Sequence, residues 1–92
     1  MMINLFVYNS GWLSTTLDVV TQNAPIEKLS RLENIKFNQF IFETYYMNNN
    51  YYFVTSPNPN QFILLNVTTT KRIDNLLDIF MINGVDVNEV TE

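Results

Sequence analysis

The sequence predicts a single small α+β domain built on an antiparallel sheet, in the order ββ-α-βββ-α. Three observations carry that expectation. Short apolar or alternating runs recur between Asn, Gly and Pro turn signals. One stretch near the C-terminus has a helical apolar stripe. And 92 residues leave room for one core only, placed at residues 1–84 with an acidic tail over 85–92.

Residues 2–8, MINLFVY, read as a strand, and Asn9-Ser10-Gly11 reads as the turn that follows it. Residues 12–22 fit two periods. Trp12, Leu13, Thr16, Leu17 and Val20 line one face of a helix, whereas Leu13, Thr15, Leu17 and Val19 line one face of a strand. The β-branched load at Thr15, Thr16, Val19, Val20 and Thr21 favours the strand, so residues 2–20 are expected to form a β-hairpin.

Asn23-Ala24-Pro25 then opens a short helix with Ile26, Leu29 and Leu32 on one side. Residues 35–47 follow as an aromatic-rich strand, bulged near Asn38-Gln39. Asn48-Asn49-Asn50 turns it into a second strand, Tyr51 to Ser56. Pro57-Asn58-Pro59-Asn60 reads as a loop, because neither proline donates to a ladder. Phe62 to Val67 has the length and apolarity of a central strand. Ile73, Leu76, Leu77, Phe80 and Met81 fall at i, i+3, i+4, i+7 and i+8 of a last helix, with Thr70 as its expected N-cap and Asn83-Gly84 as its stop. The acidic tail is expected to fray.

Composition narrows function by exclusion. The chain has no histidine and no cysteine, so zinc sites, disulfides and imidazole or thiol catalysis are not available to it. Its two glycines, Gly11 and Gly84, do not make a phosphate-cradling loop. Asp74 and Asp78 stand four apart and read as a solvated helix face rather than a catalytic pair. The net charge is −4, and Lys28, Arg31, Lys36, Lys71 and Arg72 are scattered, which disfavours a nucleic-acid or anionic-membrane ligand. No run reaches the ~18 apolar residues of a membrane span. The expectation is a non-catalytic binding protein with no cofactor, working in the cytoplasm or at membranes through its partners.

The strongest candidates for that binding are rings. Phe37, Phe40, Phe42, Tyr45 and Tyr46 crowd one strand, with Tyr51, Tyr52 and Phe53 next to them. Alternation sends half to each face of a sheet, so they either form an exposed contact patch or are covered on both faces within the fold. Trp12 is a further candidate for the patch.

Two stretches resemble a known family. Val7-Tyr8-Asn9-Ser10-Gly11-Trp12-Leu13, continuing to Leu17-Asp18, is similar to the opening of the sybindin/sedlin group, the small subunits of the TRAPP vesicle-tethering complex. Phe62-Ile63-Leu64-Leu65, a spacer, and Ile73-Asp74-Asn75-Leu76-Leu77 with Phe80 resemble the strand, loop and helix that those subunits carry later in the chain. The resemblance implies a longin/profilin-like fold and a scaffold subunit that assembles as a homo- or hetero-oligomer. It also implies partners among sibling longin-type subunits and small GTPases, with the contact on residues 25–33 and 35–47. The alternative is a small viral or mobile-element inhibitor that blocks a host or defence protein, which short length, acidity and missing catalytic chemistry suit equally.

Overall fold

The computed structural model describes residues 2–9, 15–71 and 73–83. Among these residues it is an α+β domain with six antiparallel strands and two short α-helices. In chain order these are β1 (Met2–Tyr8), α1 (Thr16–Thr21), β2 (Ser30–Arg31), β3 (Ile35–Phe37), β4 (Phe40–Met47), β5 (Asn50–Asn58), β6 (Gln61–Thr68) and α2 (Leu77–Asn83).

Hydrogen-bonded neighbours run β1-β6-β5-β4-β2, with β3 also paired to β4. The last strand therefore returns beside the first, Leu5 opposite Leu65, and β6 is interior as its apolar run predicts. The Asn48-Asn49 turn between β4 and β5 forms as expected, both residues taking positive φ (45° and 65°), a conformation Asn tolerates better than other side chains. β5 runs on through Pro57, but its pairing with β6 is irregular between Thr55 and Asn58, where the proline has no N–H to give.

Side-chain parity divides the core in two. Ile63, Leu65 and Val67 of β6 pack with Phe42, Phe53, Ile79 and Phe80, so α2 covers that face. Phe62 and Leu64 point the other way and pack with Val19, Val20, Ala24, Tyr45 and Tyr52, beneath α1. The sheet is thus sandwiched between one helix on each face.

Four expectations need correction. Residues 16–21 are helix α1, not the second strand of a hairpin, so the order ββ-α-βββ-α does not hold in its first half. A cap opens the helix against the β-branched load: the Thr15 hydroxyl accepts from the Asp18 N–H at 3.1 Å, and Val19 and Val20 then pack on the sheet. At its other end Asn23 ties α1 to the sheet, its Nδ2 donating to the Tyr8 hydroxyl (2.6 Å) and to the Val19 carbonyl (3.1 Å).

Residues 25–33 do not form a helix. Only a single 3₁₀ turn, Ile26–Lys28, appears before β2, and the Leu32 N–H donates to the Thr44 carbonyl at 2.9 Å. A short helix gains little once its nucleation cost is met, and the edge of β4 offers better partners. Residues 35–47 are likewise two strands, because Asn38 takes φ 57° and turns β3 back on β4. Finally, Ile73 and Leu76 precede α2. They still pack on the core with Leu77, but Asn75, not Thr70, supplies the side-chain acceptor at the start, 3.1 Å from the Leu77 N–H. The Met81 side chain, the Gly84 stop, the tail, Gly11 and Trp12 lie outside the described residues.

Candidate protein interface

The aromatic residues expected to meet a partner fall mostly inside the domain. Phe40, Phe42 and Tyr45 are buried. β4 pairs with β5 only from Glu43 to Met47, and its first residues stay with β3 alone, so that ribbon can curl over α2. Phe37 stacks on Phe80 at 5.0 Å between ring centroids, Phe42 lies 4.9 Å from Phe80, and Phe53 meets it edge-on at 5.2 Å. Tyr46 is half-buried and leans on Tyr51 at 4.8 Å. Most of the aromatic hairpin is therefore core, and Phe40, Phe42 and Tyr45 offer little surface to a partner.

Polar side chains near it serve the fold as well. β2 and β3 both pair along β4, but the register slips by one residue between Arg31↔Tyr45 and Ile35↔Phe42, a bulge in this edge. Arg31 holds the bulge. Its guanidinium donates to Glu43 (2.8 Å), to the Tyr45 hydroxyl (2.8 Å), to Asn34 (2.7 Å) and to the Leu32 carbonyl (3.2 Å). The buried Thr44 hydroxyl donates to the Glu33 carbonyl.

Burial pushes the Glu43 carboxyl up, but hydrogen bonds from Thr16 and Arg31, with the Arg31 charge, hold it below its ordinary value. A depressed carboxylate pKa adds stability above the unfolded value and loses it as pH falls through the folded one. Both partners are substantially exposed, so Glu43→Gln is expected to cost only about 0.5 kcal/mol at neutral pH. The gap between variant and wild type in urea melts should close as the solution is acidified through and below the ordinary carboxylate range. An unchanged gap there would assign Glu43 a purely steric role.

Shallow clefts open on the surface among the described residues. One, about 500 Å³, lies where β4 and β5 diverge and is lined by Ile41, Ser56 and Pro57 among others. Two smaller ones, about 290 and 270 Å³, share Glu33, Asp74 and Leu76. Among the described residues no three metal-ligating side chains come together.

The feature left unexplained by packing is β1. It is an edge strand, bonded to β6 on one side and to nothing on the other among the described residues. It exposes apolar side chains on both faces: Leu5 (42%) and Val7 (39%) on the α2 side, Met2 (59%) and Phe6 (39%) on the α1 side. None of the nine acidic and five basic residues falls on it, and it has no proline and no bulge. The opposite edge is guarded where β1 is not: β2 and β3 are short, separated by the bulge, and carry Arg31 and Lys36. An unprotected apolar edge of this kind is a template for pairing with another strand. The signal was present in the sequence as an uncharged seven-residue run, but the run's position at an edge was not.

Comparison with protein-family models, curated proteins and solved structures finds no match for this chain. Among the described residues no helix is long and apolar enough to cross a membrane.

Proposed function

We propose that this protein is a non-catalytic protein-interaction subunit that receives its partner by strand addition along β1. The observation that carries this reading is the contrast between its two sheet edges: one guarded by charge and a bulge, the other apolar on both faces and bare of charge. Backbone bonds along such an edge supply affinity, and alternate side chains supply specificity.

The more specific form of the proposal is a longin-like scaffold component of a vesicle-tethering complex that helps present a surface to a small GTPase. Its support is the resemblance over Phe62–Leu65 and Ile73–Phe80, residues that lie on β6 and around α2, of which Ile63, Leu65, Ile73, Leu76, Leu77 and Phe80 share one core cluster. The other stretch of the resemblance requires a strand where α1 stands, so the scaffold reading rests on the second stretch.

The test is co-purification from cells with the full chain as bait. Phe6→Lys is expected to lose a bound sibling subunit or small GTPase, while Ile41→Lys, on the still more exposed Ile41 of β4, keeps it. Retention by Phe6→Lys would remove β1 from the contact. Loss of a bound host or defence enzyme instead would replace scaffolding with inhibition.

A further inference from the structure

We infer that the strand added to β1 is β1 of a second copy of this chain, paired antiparallel about a two-fold axis at Leu5; the inference rests on the strand-addition reading above. Whatever covers β1 must be apolar on both faces, because exposed apolar side chains stand on both. It must also bring no unpaired charge to the strand it covers. Strand β1 itself meets both conditions.

An axis at Leu5 pairs all seven residues of the strand. Leu5 faces itself, Ile3 of each copy faces Val7 of the other, and together these make an all-aliphatic strip on the α2 side. Met2 faces Tyr8 and Asn4 faces Phe6 on the α1 side, where uncharged side chains border the exposed Met2 and Phe6. Such an interface is isologous, as closed two-fold dimers require. Electrostatics points to the same strand. With a net charge of −4, two copies repel in most orientations, and β1 is a stretch where they meet without placing like charges together. The opposite edge would set Arg31 and Lys36 of one copy against those of the other.

Because Leu5 sits on the axis, a charge placed there meets its own copy. Sedimentation of the wild-type chain is expected to show a dimer that forms with rising concentration. Leu5→Lys and Leu5→Glu, each folded by circular dichroism, are each expected to weaken association at least about tenfold, through like charges set directly opposite. An equimolar mixture of the two is expected to recover the dimer as a mixed species. A second measurement spares the apolar strip. The chain has no cysteine, so Leu5→Cys is expected to oxidise to a disulfide-linked dimer, since facing Cα atoms of antiparallel strands lie within disulfide reach, whereas Ile41→Cys is not.

A wild-type chain that stays monomeric at all concentrations, or a mixture no tighter than either variant alone, would overturn self-pairing. If the monomer nevertheless slows β1 amide exchange on adding a strand-forming peptide of alternating Val and Thr, self-pairing falls and strand addition stands. If the peptide has no effect either, both fall.

Discussion

Replacing Phe80 with alanine is expected to destabilise the domain by about 4 kcal/mol, the upper range for deleting a fully buried ring. The ring is 1% exposed and is the point where three elements converge: Phe37 of β3, Phe42 of β4 and Phe53 of β5 all touch it. Those three rings come from β3, β4 and β5, so one side chain ties the β3–β4 ribbon to the sheet. Small domains hold roughly 5–15 kcal/mol in total. The variant should therefore be largely unfolded at modest urea, with its midpoint far below wild type and its slope unchanged. Phe80→Leu should recover part of the loss by refilling volume. Phe6→Ala, a change on the exposed edge, should cost about 1 kcal/mol or less. Equal losses at Phe80 and Phe6 would mean that α2 does not cover the aromatic face.

The second large effect separates α1 from the strand that residue composition favours there. Val20 is 0% exposed on α1, and Leu17 is 41% exposed. Val20→Asp would bury a carboxylate among Val54, Leu64 and Tyr52, and is expected to cost about 3–5 kcal/mol at neutral pH. The cost should shrink in acid, where the new carboxyl is neutral. Leu17→Asp is expected to stay within about 0.5 kcal/mol. A hairpin over residues 2–20 would reverse this order, because Leu17 would then share the inward face with Leu13, Thr15 and Val19. Thermal melts of the two variants measured side by side decide between them.

The parts of the fold that were legible in the sequence are those governed by a strong local signal. β1, the Asn48-Asn49 turn, β6 and the apolar positions from Ile73 to Phe80 all belong here. The failures share a different cause. At residues 16–21 two local signals conflict, β-branching against the Thr15–Asp18 cap, and only the packing of Val19 and Val20 on the sheet decides between them. Over residues 25–33 the apolar spacing of a helix was present, but β4 supplied hydrogen bonds that the helix would have had to make alone.

The burial of the β4 rings escapes the sequence for a related reason. Alternation along β4 shows that its rings point both ways, but not that a helix covers each face, so Phe40, Phe42 and Tyr45 could not be recognised as core. The exposure of β1 depends on its pairing with β6, Ile3 with Val67 at the far end of the chain, which no local pattern records. What the sequence does display is the lack of charge on residues 2–8, a property that gains meaning only once the strand is seen at an edge.

Residue-resolved amide exchange along the two sheet edges, followed from dilute to concentrated protein, tests the interaction account most directly. The amides of β1 that point away from β6 should slow in the presence of a bound strand, while those of β2 and β3 keep their rates. Protection gained along β2 and β3, with β1 unchanged, would contradict it.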